Sequence, residues 1–188
     1  MPDIATRSPV AVRNPARSGA TRGLESLPPA ARFILRGGNA VRAAAGQAAG
    51  IELPVQSCRA ITAGERAALW LGPDEWLLIA PESAGASLAV SLAGALAALP
   101  HSLVDVSHRQ VACELRYPEA PLLLAAGCPL DLDESAFPVS MCTRTVLAKA
   151  EVVLWRTSAR AFRLEVARSF VAYVSQFLAE AARASDLD

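Results

Sequence analysis

The chain is poor in lysine, histidine and charge in general. Lys149 is its only lysine among 18 basic residues, there are two histidines, and charged residues make up 19% of the 188. Eighteen acidic residues balance the basic ones, so the formal net charge is zero. A chain without basic excess offers no electrostatic footprint for nucleic acid or an anionic membrane surface. Arginine in place of lysine suits planar two-point contacts with carboxylates, in buried pairs and at interfaces. The four cysteines, Cys58, Cys113, Cys128 and Cys142, include no Cys-x-x-Cys pair and have no histidine at ligand spacing. Structural zinc and dithiol motifs therefore lack a basis, and free thiols in a cytoplasmic protein are expected. The first residues lack the apolar core of a secretory signal. Between Ser83 and Val104 there is no Asp, Glu, Lys or Arg. That stretch is mostly Ala, Ser and Gly, and Pro100 interrupts it, whereas a membrane span needs about 20 strongly apolar residues.

What is abundant is apolar surface. Hydrophobic residues make up 53% of the chain. That is high for a small monomer, and it predicts a protein much of whose surface is covered by partners.

Residues 1–26 carry Arg7, Arg13, Arg17 and Arg22 with Pro2, Pro9 and Pro15 and little apolar material. Such a segment cannot bury enough surface to offset the entropy of ordering, so a flexible N-terminal arm is expected, followed by one domain over 27–188. Phe33-Ile34-Leu35 reads as a strand, and Asn39 to Ala49 as a helix stopped by Gly50. Arg66 to Leu71 and Glu75 to Ala80 read as a hairpin whose turn, Gly72-Pro73-Asp74, uses the preset φ of proline. A helix over about 84–99 places Leu88, Leu92, Leu96 and Leu99 on one stripe; its other face, with Ala86, Val90, Ala93, Gly94 and Ala97, carries no charge. Leu103 to Val106, Gln110 to Leu115, Val146 to Leu154 and Phe162 to Val166 read as strands, with helices over about 118–126 and 169–182. Phe170, Val174, Phe177, Leu178 and Ala181 form the expected buried stripe of the last helix.

The order strand, helix, long link, hairpin, helix occurs twice. Ala68-Leu69-Trp70 with Trp76-Leu77-Leu78 in the first half answers Val153-Leu154-Trp155 with Phe162-Arg163-Leu164 in the second. The fold class is therefore α+β, a duplicated unit with pseudo-repeats at about 31–100 and 101–184.

Asp105-Val106-Ser107-His108-Arg109-Gln110 is the one cluster with the residue types of a catalytic triad. Neighbouring strand residues point to opposite faces, so Ser107 and His108 do not converge in a regular strand, and no Gly-x-Ser-x-Gly elbow exists. A polar turn held by Asp105 is the simpler reading. Asp131, Asp133 and Glu134 lack the spacing of a calcium loop. Gly37-Gly38 is not a phosphate cradle. Cys142-Thr143-Arg144-Thr145 could hold a small anion, but an interface or structural role fits better.

Four segments in this order and spacing carry a family resemblance. They are Leu71-Gly72-Pro73-Asp74-Glu75-Trp76-Leu77-Leu78, Asp105-Val106-Ser107-His108-Arg109, Cys142-Thr143-Arg144-Thr145 and Arg168-Ser169-Phe170-Val171-Ala172-Tyr173-Val174. The chain from about residue 27 to 183 resembles the gamma subunits of heterotetrameric sarcosine oxidases. The resemblance implies a fold like the folate-binding part of the glycine-cleavage T-protein, or aminomethyltransferase, family. It implies alpha, beta and delta chains as partners, with FAD, FMN, NAD and zinc held by those chains and tetrahydrofolate as a co-substrate. No catalytic, cofactor-binding or metal-binding residue is expected here. Contacts with partners are expected at Trp76, Asp105, His108, Arg109 and Arg144, and on the uncharged helix face at Ala93, Gly94 and Ala97. A stand-alone folate-binding or aminomethyltransferase-like one-carbon protein is the alternative, and it needs a polar pocket between the repeats that opens to solvent.

Overall fold

A computed structural model describes residues 23–184. Residues 1–22 of the expected arm lie outside the described residues. The remainder of that arm is structured: Leu24–Ser26 forms strand β1 and pairs with the strand over Gln110–Arg116. Ordered structure therefore starts earlier than residue 27.

The elements run β1 (Leu24–Ser26), β2 (Ala30–Gly37), α1 (Asn39–Ala49), β3 (Ala60–Ala63), β4 (Arg66–Gly72), β5 (Glu75–Pro81), α2 (Gly85–Leu96), β6 (His101–Asp105), β7 (Gln110–Arg116), α3 (Ala120–Ala125), β8 (Cys142–Leu147), β9 (Ala150–Ser158), β10 (Ala161–Ala167) and α4 (Val171–Ala184). They build two five-stranded antiparallel sheets, ordered β3-β4-β5-β2-β6 and β8-β9-β10-β7-β1. The two orders correspond strand for strand, as a duplicated unit requires.

The sheets stack face to face with helices outside. Alternation along each strand explains this layering. In β2, Phe33 and Leu35 face α1 and α2, packing on Val41, Ala45, Leu88, Leu92 and Leu96. Ile34, between them, faces the other sheet with Leu69, Leu77, Ile79, Val153 and Trp155. On the far side Phe162, Leu164 and Val166 of β10 pack under Leu123, Leu124, Val174 and Leu178 of α3 and α4. Strands covered on both faces must be apolar on both, which accounts for much of the high hydrophobic fraction. Among the described residues no helix is long and apolar enough to cross a membrane.

The helix stop at Gly50 is a left-handed cap with φ 63°, a conformation glycine adopts without steric cost. At Gly127 a Cβ would fall 2.5 Å from the Phe177 ring, so the close approach of α4 to the end of α3 requires glycine.

Several expectations are corrected. Residues 146–154 are not one strand: a tight turn with Ala148 at φ 52° separates β8 from β9. The segment Cys142-Thr143-Arg144-Thr145 forms the start of β8. Phe170 is exposed rather than buried, because a 3-10 turn over Arg168–Phe170 precedes α4 and rotates it off the stripe. The two units exchange strands: β6 pairs with β2 of the first sheet, while β1 pairs with β7 of the second. Each unit's leading strand completes the other unit's sheet.

Candidate functional site

Polar groups collect at three places: between the sheets, at the crossing from β6 to β7, and around the β4–β5 turn. Between the sheets, Arg32 of β2 meets Glu165 of β10, Nε to Oε2 at 2.6 Å, with both side chains almost fully buried. The other Glu165 oxygen accepts from Arg163 Nε at 2.8 Å and Nη2 at 2.7 Å. The Arg163 guanidinium also lies 5.9 Å from the Trp155 ring centroid. Arg32 Nη1 donates to the Ala30 carbonyl, while Nη2 has no partner among the described residues. Sequence reasoning missed this group. The signal was present, because Arg32 lies between Ala31 and Phe33, and Glu165 between Leu164 and Val166. A charge inside a strand apolar on either side points at whatever covers the second face.

The crossing uses the residues that had invited a catalytic reading. The Asp105 carboxylate accepts from the Ser107 N–H at 2.8 Å, and the Ser107 hydroxyl accepts from the Arg32 N–H at 2.9 Å. Those contacts hold the Asp105 carboxyl below the usual carboxylate range, through its Ser107 hydrogen bonds first. Val106 N–H donates to the Arg32 carbonyl, and the Arg109 carbonyl accepts from Arg168 N–H. Ser107 thus continues β6's edge pairing for one more residue while the backbone turns into the second sheet. His108 and Arg109 project outward and are exposed.

At the turn, Arg144 on β8 makes a two-point ion pair with Glu75 at the start of β5. The Arg144 guanidinium lowers the Glu75 carboxyl pKa and is itself raised. Arg36 pairs with Asp74 at 3.3 Å alongside. The sheets are therefore tied at their rim as well as in the middle. Trp76 is not available to a partner: it is buried under α1 and α2, and its indole N–H donates to the Pro54 carbonyl at 2.8 Å. Its strand position one residue after Glu75 turns it to the helix side.

Ala93, Gly94 and Ala97 lie exposed on the outer side of α2 and just past its end, beside Val90, which is 75% exposed. A cleft of about 400 Å³ lies between α1 and the link to β3, lined by Arg42, Gly46, Gln47, Ile51, Leu53 and neighbours. Asp131 and Asp133 fold their own loop: Asp133 Oδ1 accepts from Ser135 N–H and its hydroxyl. Among the described residues no group of three His, Cys, Asp or Glu is placed to hold a metal. Arg156, buried on the Phe162 ring at 5.2 Å, ties this loop down through the Leu132 and Phe137 carbonyls.

The family model for the sarcosine oxidase gamma subunit family matches residues 36–184. The chain is 41% identical over 142 residues to the sarcosine oxidase subunit gamma of Corynebacterium sp. strain P-1, covering 74% of this chain and 68% of that one. It is 46% identical over 121 residues to the subunit gamma of an Arthrobacter species, covering 64% of this chain and 59% of the other. Among solved structures, a chain of the heterotetrameric sarcosine oxidase from Corynebacterium sp. U-96 in complex with pyrrole 2-carboxylate superposes with TM-score 0.79 at 33% identity, covering 86% of this chain and 83% of that chain. The glycine cleavage system aminomethyltransferase T from Bartonella henselae superposes with TM-score 0.61 at 12% identity, over 83% of this chain and 45% of the other, a likeness of fold.

Proposed function

The chain belongs to the sarcosine oxidase gamma subunit family, and from that premise we propose that it is a structural, non-catalytic subunit of a heterotetrameric sarcosine oxidase, with alpha, beta and delta chains as its partners. The assembly oxidises the N-methyl group of sarcosine in the cytoplasm. It yields glycine and hydrogen peroxide together with formaldehyde or, with tetrahydrofolate, 5,10-methylenetetrahydrofolate. FAD, FMN, NAD and zinc reside on the other chains.

One observation carries the non-catalytic reading. Asp105 and Ser107, the residues with the chemistry of a nucleophile and its partner, are committed to the strand crossing, and Ser107 Oγ is held 2.9 Å from a backbone N–H. An oxygen used as a backbone acceptor, with its His neighbour turned outward, is not poised for attack. The folate-binding alternative needs an open polar pocket between the units. That space holds Leu69, Leu77, Ile79, Val153 and Trp155 instead, closed by the Arg32–Glu165 pair.

The uncharged face of α2, with Val90, Ala93, Gly94 and Ala97, and the rim residues His108, Arg109 and Arg144 are the proposed contacts with the larger chains. The domain begins with β1 in this reading, and β1 and β6 are its exchanged strands. The test is coexpression of tagged chain with candidate alpha, beta and delta chains, followed by pull-down and an absorbance spectrum. A stoichiometric complex with flavin absorbance supports the proposal. A colourless chain that elutes alone refutes it and makes titration with tetrahydrofolate the next measurement.

A further inference from the structure

The sequence offers no dithiol motif, yet the fold sets two cysteines opposite each other. Residues 58–60, leading into β3 of the first sheet, run antiparallel to residues 140–142, leading into β8 of the second. Arg59 and Met141 form the bridge. Ala60 N–H donates to the Ser140 carbonyl at 2.8 Å, and Cys142 N–H donates to the Cys58 carbonyl at 2.9 Å. With Arg59 opposite Met141, Cys58 stands opposite Cys142. The Cys142 N–H to Cys58 carbonyl bond sets the two residues side by side, and a disulfide spans Cα atoms roughly 4.4–6.8 Å apart.

The two thiols differ in access. Cys142 is fully buried with its Sγ 3.6 Å from the Trp70 carbonyl, and Cys58 is half-buried in a turn. Cys58 has φ 58°, a left-handed backbone strained for a residue other than glycine.

We propose that Cys58 and Cys142 are a reversible oxidative cross-link site, which closes under a peroxide oxidant and staples the first sheet to the second. The chemistry takes two steps. The more accessible Cys58 sulfur attacks the peroxide O–O bond, forming the sulfenic acid and releasing one water. The Cys142 sulfur then displaces the hydroxyl from Cys58 sulfur, and the departing hydroxide leaves with the Cys142 proton as a second water. Two thiols lose two electrons in all, and one hydrogen peroxide becomes two waters. Burial, with the Cys58 sulfur next, pushes the Cys142 thiol up to about 12. The thiolate is the attacking form, so this raised value slows the second step.

The test uses the wild-type chain in its purified assembly. It is treated with hydrogen peroxide, blocked with iodoacetamide and digested without reductant for mass spectrometry. The expected product is a peptide pair joined through Cys58 and Cys142, two hydrogens lighter than its separate parts. Dithiothreitol should release it, and the melting temperature should rise while it is present. The cross-link should persist in Cys128→Ser and vanish in Cys58→Ser. Cys58 carried to sulfinic or sulfonic acid without the link, joined to a different thiol, or left unmodified would each overturn the proposal.

Discussion

Replacing Glu165 with Gln should destabilise the protein far more than its near-identical shape suggests. The substitution leaves no cavity, so packing loss does not enter. It removes the counter-charge of Arg32, whose side chain is 2% exposed and whose Nε lies 2.6 Å from the carboxylate. The Arg32 guanidinium would keep the Ala30 carbonyl as a neutral partner for Nη1, with Nη2 already lacking one among the described residues. Breaking a buried pair on one side costs about 3–5 kcal/mol, because the surviving charge stays out of water. Arg163 also loses a partner, but it is the more exposed of the two arginines and adds little. With a urea m-value of about 2 kcal/mol/M, the midpoint should fall by roughly 2 M. Removing both charges together, as Arg32→Met with Glu165→Leu, should restore stability to near wild type, since neither charge of this pair is then left buried without the other. Urea denaturation followed by tryptophan fluorescence reads both. A Glu165→Gln midpoint within about 0.25 M of wild type, or a double variant as unstable as the single one, would refute the reasoning.

Ser107→Ala removes the acceptor of the Arg32 N–H and should cost about 1–3 kcal/mol while leaving the turnover of the assembled oxidase unchanged; a large fall in kcat at wild-type assembly would instead place Ser107 in the chemistry. Val90→Arg with Ala93→Glu should fold normally by circular dichroism yet fail to copurify with the larger chains, and full recovery of the complex would remove α2 from the interface. The Glu75 carboxyl is held below its usual range by Arg144, so the pair stabilises the fold above the unfolded carboxyl pKa near 4.5 and loses that contribution as pH falls through the lower folded value. Glu75→Gln should flatten the acid limb of the stability curve by no more than about 1 kcal/mol, because Arg144 is half exposed. An unchanged acid limb would show that the rim pair does not couple to folding.

The positions of most elements were legible in local pattern. The leucine stripe of α2, the Gly50 stop of α1 and the β4–β5 hairpin follow from side-chain period and turn chemistry, which act over a few residues. The duplicated order of elements was visible for the same reason. What failed were decisions taken at a distance. Short β1 and β3 carry too few residues for a period to show. The β8–β9 hairpin lacks a glycine or proline at its tip, where Ala148 takes the left-handed conformation instead. The uncharged face of α2 was legible as a face turned away from its own sheet, but Trp76 was misplaced, because a tryptophan after a polar turn does not reveal which face of its strand is covered.

The sequence by itself determined that the chain is a twice-repeated α+β unit, rich in apolar residues and balanced in charge. Only the tertiary structure decided that β1 and β6 exchange sheets, that Arg32 finds Glu165, and that Cys58 faces Cys142. The physical reason is the range of the forces involved. Backbone propensity and hydrophobic period are set by neighbours along the chain, whereas the partner of a buried charge or thiol is whichever group the packing of two sheets brings opposite.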